Sequence, residues 1–184
     1  WEVDGNQQHF RIQASFQILQ GAPQEISLTL SGHGDVQSVT GDQLQDWGIR
    51  QNTNGSRALV LRPRNQGKGL TSFAVTIHAE ASTEELPSLI SPMLLVSDQP
   101  ETMKGYLLIQ MPYDWEFSPQ TAQNLATSET DNLPSAIQSW IPRNPKSRLL
   151  AYRFDGSNPA LSGLLTKANP ESGAIVLKEY QLKG

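Results

Sequence analysis

From Phe10 to Ile18 apolar side chains fall on every second residue. Phe10, Ile12, Ala14, Phe16 and Ile18 alternate with Arg11, Gln13, Ser15 and Gln17. A period of two over nine residues puts one set of side chains in a core and the other in water, the mark of a half-buried β-strand. No helix accommodates that spacing, because a helical face repeats every three to four residues. Gly21-Ala22-Pro23 ends the run. Shorter stretches of strand character follow at 26–30, 36–40, 47–51, 58–62 and 72–79, and then at 93–96, 106–111, 115–118, 148–154, 161–166 and 174–182. Clusters of turn residues recur between them about every ten residues, a rhythm shared by sandwich folds. Ser31-Gly32-His33-Gly34-Asp35 is one such cluster, and Asn54-Gly55 is another, the pairing that favours a two-residue type I′ hairpin. The expected fold is all-β, an antiparallel β-sandwich of Ig-like character, either one large unit or two small ones.

The expected division is a β-sandwich unit at 1–84, a linker at 85–92 containing Pro87, and a second unit at 93–184 that either stands alone or completes the first. Pro92 closes the linker. Short helices are expected only within 119–140: Gln120–Ala126 behind Pro119, and Ser135–Trp140 behind Pro134. The terminal strand at 174–182 belongs either to this unit or to a following one.

Composition narrows the function classes. With charged residues at 17% and a net charge of −4, the chain lacks the clustered basic face that nucleic acid requires. The short basic groups Arg62/Arg64/Lys68 and Arg143/Lys146/Arg148 read as solvated loop charge. Cysteine is absent, which removes disulfides and thiolate metal sites. No apolar run reaches the ~20 residues of a membrane helix. The chain opens on Trp1 without Met, so it is expected to be cut from a longer polypeptide with any targeting segment upstream.

Motifs for catalysis are weak. His9, His33 and His78 show no paired ligand spacing, and no G-x-S-x-G elbow occurs. The acid pairs Asp42/Asp46, Asp98/Glu101, Asp114/Glu116 and Glu129/Asp131 supply carboxylates for a hydrolase alternative, but each also reads as ordinary turn and edge charge. Asp155-Gly156-Ser157-Asn158 lacks the further acids of a calcium loop, Gly67-Lys68-Gly69 departs from the phosphate-loop pattern, and Asn54-Gly55-Ser56 is formally a glycosylation sequon. No cofactor and no metal are expected. The candidate ligand-binding residues are aromatic: Trp115 and Tyr113, expected with Phe117 on one strand face, together with Trp140 and Trp47. Exposed rings of this kind can stack on sugars; the competing role for each is core packing.

The runs Ala14–Gly21, Ile26–Gly32, Asp35–Gly41, Leu44–Arg50 with its Trp47-Gly48, and Leu59–Leu61 resemble a unit of very large exported bacterial proteins of unassigned function. Gly105–Ile109, Leu133-Pro134 and Leu150–Phe154 resemble the later part of the same unit, while 119–147 departs from it. The resemblance implies tandem β-sandwich modules in an extracytoplasmic setting: periplasm, cell surface or membrane-anchored. It supplies no site residues. The resulting expectation is a non-catalytic structural or interaction module. Its partners would be neighbouring modules, another protein meeting an exposed strand edge, or a glycan, with carbohydrate binding as the first alternative.

Overall fold

The computed structural model describes residues 1–64, 70–141 and 146–168. Fourteen strands follow one another: β1 (Glu2–Asp4), β2 (Gln7–Gln17), β3 (Ile26–Ser31), β4 (Asp35–Thr40), β5 (Leu44–Gln51), β6 (Arg57–Pro63), β7 (Ser72–Ser82), β8 (Ser88–Ile90), β9 (Leu94–Val96), β10 (Lys104–Pro112), β11 (Trp115–Gln123), β12 (Ala126–Ser128), β13 (Ser147–Asp155) and β14 (Ala160–Lys167). One short helix, α1 (Ser135–Gln138), interrupts them. The fold is all-β and sandwich-like. A seven-stranded sheet of order β12-β13-β10-β1-β2-β7-β4 forms one layer. A four-stranded sheet (β5-β6-β3-β9) and a three-stranded sheet (β11-β14-β8) make up the other. All pairings are antiparallel except β1 with β10.

Alternation in the sequence becomes layering here. β2 and β7 pair in unbroken register from Gln7↔Ser82 to Gln17↔Ser72. Their inward residues meet as Phe10↔Ala79, Ile12↔Ile77, Ala14↔Val75 and Phe16↔Phe73, large against small at Phe10↔Ala79 and ring against ring at Phe16↔Phe73. Phe16 and Phe73 lie with ring centroids 5.8 Å apart. Leu28, Leu30, Leu59, Leu61 and Leu95 close this first core from the four-stranded sheet. Each fully buried side chain of this size contributes about 1.5–3 kcal/mol through area removed from water. A second core lies under the three-stranded sheet, where Leu107, Ile109 and Met111 of β10 meet Trp115, Phe117, Leu161 and Leu165.

Trp1 joins the two cores. Its indole stacks on Phe10 at 6.0 Å and meets Phe117 edge-on at 5.7 Å. Its amino group donates to the Leu108 carbonyl at 3.0 Å, and its own carbonyl accepts from the Gln110 N–H at 2.8 Å. Burial lowers the pKa of this amino group from 8.0 to about 6, with the Glu2 carboxylate acting weakly against the shift.

Several expectations change. The β5–β6 connection is not a two-residue type I′ turn. The Gly55 N–H bonds to the Asn52 carbonyl and the Asn52 N–H to the Ser56 carbonyl, and positive φ occurs at Gly55 (φ 80) but not at Asn54. This is a type I turn closed by a glycine bulge, which needs one left-handed residue rather than two. Gln120–Ala126 is not helical. It continues β11 through Gln123, with a bulge between Pro119 and Thr121 that fits an edge strand containing a residue with no N–H to donate. Of the expected linker at 85–92, residues 88–90 form β8 and pair with β14. Flanking prolines left that strand too short to show a period. The seven-stranded sheet also draws strands from both sides of 85–92. Helix α1 occupies part of the expected Ser135–Trp140 segment. The expected strand at 174–182, the Gly67-Lys68-Gly69 loop and Arg143 lie outside the described residues.

Two stability outcomes follow. A Cβ on Gly32 (φ +79) would fall onto the Pro92 carbonyl, where the β3–β4 corner crosses the chain between β8 and β9. Gly32→Ala is expected to cost about 2–4 kcal/mol in urea unfolding, combining left-handed strain with a backbone clash. A cost under 0.5 kcal/mol would mean the corner is not packed this way. The amino group of Trp1 binds more proton in the unfolded chain than in the folded one between pH 6 and 8. Unfolding free energy is therefore expected to rise by about 2 kcal/mol from pH 6 to pH 8, within a total of about 3 kcal/mol that is lost only well below pH 6. Adding one N-terminal glycine moves the amine and should remove the slope; a slope that persists would assign it to other groups.

Candidate functional site

At the Ser31–Asp35 corner the chain leaves the four-stranded sheet and enters β4, the edge strand of the seven-stranded sheet. β8, an edge of the three-stranded sheet, has no strand neighbour on that side among the described residues. Between the two edges opens a cleft of about 470 Å³. β8 and β9 are separated only by Ser91-Pro92-Met93 yet belong to different sheets, so this stretch ties the small sheets together beside the cleft. Pro92 has no N–H to continue either ladder, which suits a switch of sheets.

The cleft wall is mostly polar. Asp35 and Gln37 come from β4, His33 from the corner, Glu84 from the β7–β8 connection, and Gln7 with Gln8 from β2. Among the wall's apolar residues, which include Ala81 and the buried Ile90, Leu89 is 68% exposed on the β8 edge. Gln8 is buried by its alternation with Phe10; its Nε2 donates to the Ser82 carbonyl at 3.4 Å, and its Oε1 has no partner among the described residues. Arg57 donates to the Gly34 carbonyl at 2.6 Å and reaches Asp35 Oδ1 at 3.4 Å, so the corner is braced from β6. His9 Nδ1 and Glu80 Oε1 lie 3.3 Å apart as cross-strand neighbours on β2 and β7.

The four aromatic candidates do not share a surface. Trp115 is 8% exposed and belongs to the second core, because it alternates in phase with Phe117 toward the interior of β11. It presents no ring face to a ligand. Tyr113 is 58% exposed, but in the turn between β10 and β11, so the expected row of three aromatics on one strand face does not form. Trp47, opposite Leu61 on β5, is half-buried against the first core. Trp140 follows α1 and carries the Arg11 guanidinium over its ring at 4.4 Å. Arg11 projects from the outer face of β2, so the segment after β12 crosses the outside of the large sheet. Ring pairs among the described residues involve Trp1, Phe10, Phe16, Phe73 and Phe117 and none of the four candidates.

The acid pairs are likewise dispersed. Asp46 is engaged by Arg62 at 2.8 Å on the exposed face of β5 and β6, beside Glu25, Arg50 and a second Arg62 contact. No group of three or more His, Asp or Glu side chains able to hold a metal ion occurs among the described residues. No described helix is long and apolar enough to cross a membrane. The cleft itself was not visible in the sequence. Its walls come from four separated segments, one of them read as linker, and hydrophobic patterning carries no signal for a polar concavity.

No family model, curated protein or solved structure matches the chain.

The different burial of the tryptophans gives a measurable contrast. Trp115→Ala is expected to cost about 3–5 kcal/mol of unfolding free energy, the usual cost of emptying a large core site. Trp140→Ala removes a surface ring and one cation–π contact, about 0.5–1 kcal/mol. Equal costs would contradict the placement of one ring in the core and the other on the outer face.

Proposed function

We propose that this chain is a non-catalytic β-sandwich interaction module that takes an extended segment of a partner protein into the cleft between β4 and β8. The observation that carries this reading is that β8, which pairs only with β14 among the described residues, borders a concavity whose other wall is built from β4, β7 and β2. An edge strand offers a row of backbone donors and acceptors on its outer side, and an added strand pairs with them irrespective of its sequence. Leu89 supplies an exposed apolar contact at that edge, and the polar wall tolerates a hydrated peptide backbone. Cross-bracing by Arg57 keeps the corner open without a partner. Tandem placement in an exported, extracytoplasmic protein belongs to the same reading. Its support is the resemblance of the 14–61 and 105–154 runs, and it would put neighbouring modules among the possible partners.

A peptide library displayed against the folded chain, followed by amide chemical-shift mapping, tests the proposal. Selected peptides should be extended, should shift β4 and β8 resonances, and should bind roughly tenfold more weakly to Leu89→Lys, as loss of one apolar anchor would give. Binders that map elsewhere would overturn it. A soluble polysaccharide that shifts the same resonances where no peptide does would replace it with glycan recognition.

A further inference from the structure

Asn54 is followed by glycine, and no other asparagine in the chain is. The turn that holds it adds features of chemical consequence. Asn54 Oδ1 accepts two hydrogen bonds, from the Ser56 N–H at 3.0 Å and from the Ser56 hydroxyl at 2.7 Å. Asn52 Nδ2 bonds to the same hydroxyl at 2.9 Å and fixes its position. Space around Gly55 is open: a Cβ there would meet nothing within 4 Å. Asn54 is exposed at the tip of the β5–β6 hairpin.

We infer that Asn54 is a self-modification site, at which Ser56 promotes conversion of the asparagine to aspartate and isoaspartate. The Gly55 backbone nitrogen loses its proton to water or hydroxide and forms a bond to Asn54 Cγ. The carbonyl electron pair moves onto Oδ1, where the two Ser56 donors stabilise the developing negative charge. Collapse of this intermediate expels Nδ2, which leaves as ammonia, and closes a five-membered imide. Water then opens the ring at either carbonyl. One opening gives aspartate at 54; the other routes the main chain through the former side chain and gives isoaspartate. The sum is asparagine plus water to the acid plus ammonia, with no oxidant or cofactor.

In the resting turn the Gly55 N–H is held by the Asn52 carbonyl at 3.0 Å. The reaction therefore proceeds when the Gly55–Asn52 bond opens while the local Asn54–Ser56 bonds persist, and single hairpin-tip bonds open at low free energy. Glycine permits the required rotation because it has no Cβ to obstruct the approach. The product carries a new negative charge next to the Arg57 end of β6. The isoaspartate form also lengthens the turn backbone by one carbon, which removes the closure of the hairpin.

The test uses the full chain, incubated near neutral and at mildly alkaline pH. Trypsin releases residues 51–57 as one peptide, whose Asn52 and Asn54 are separated by fragment masses, with isoaspartate resolved by chromatography. Conversion should concentrate at Asn54 and accelerate with hydroxide. Ser56→Ala, with folding checked by circular dichroism, should slow it roughly fivefold, the worth of about one net hydrogen bond. Gly55→Ala should slow it further. Conversion faster in Ser56→Ala would mean that the two bonds restrain the side chain rather than activate it, and would overturn the assignment. Conversion spread evenly over the other asparagines would overturn it as well.

Discussion

A strand of three residues, Glu2–Asp4, holds the large sheet together. β1 pairs antiparallel with β2 and parallel with β10, so among the described residues it is the only strand that touches both the group β2-β7-β4 and the group β10-β13-β12. Val3, at its centre, is 1% exposed and belongs to the second core. Trp1 immediately before it carries the same connection into the interior, with one ring face on Phe10 of the first core and one edge on Phe117 of the second. Without this insertion the two halves would each expose a sheet edge and a flank of apolar side chains. A parallel pair joined to an antiparallel one is a modest source of ladder energy. Burial of Val3 and the indole makes the join stable.

The opposite layer has no such continuity, and the cleft results from that difference. Its two small sheets share only the chain 88–96, which pairs with β14 at one end and with β3 at the other. Asn158 braces this passage by bonding both the N–H and the carbonyl of Ser97, much as a neighbouring strand would. On the side facing the β3–β4 corner no such substitute occurs among the described residues, and the edge of β8 stays open. A continuous large sheet beneath a divided layer leaves the edge of β8 open beside β4. The proposed interaction surface is that cleft.

The aromatic residues show why side-chain identity is a poor guide to a site in a β protein. Trp115 and Phe117 are inward because they share the phase of β11, and Tyr113 is outside because it lies in the turn two residues before the strand begins. All three share one parity, so only where the strand begins, not the alternation, separates the exposed ring from the buried ones. Trp140 is held by Arg11 across the outer face of the large sheet, a contact between residues far apart in the chain.

The alternation of apolar residues determined most strands and the all-β class, because a two-residue period survives in any β context and depends on nothing distant. The phase of β2 and β7, and with it the first core, was legible for the same reason. The turn at Asn54-Gly55 was legible as a turn, but its type was not, since either hairpin geometry accepts glycine and only the backbone path selects one. Strand β8, the extension of β11 through its bulge and the parallel join at β1 depended on partners supplied from elsewhere in the chain; segments of three residues, or polar ones rich in Gln and Ser, have no period of their own to declare. The cleft belongs wholly to the tertiary structure. Its residues are ordinary polar surface in sequence, and only the crossing of β3 into β4 over Pro92 brings them to face one another across an unpaired edge.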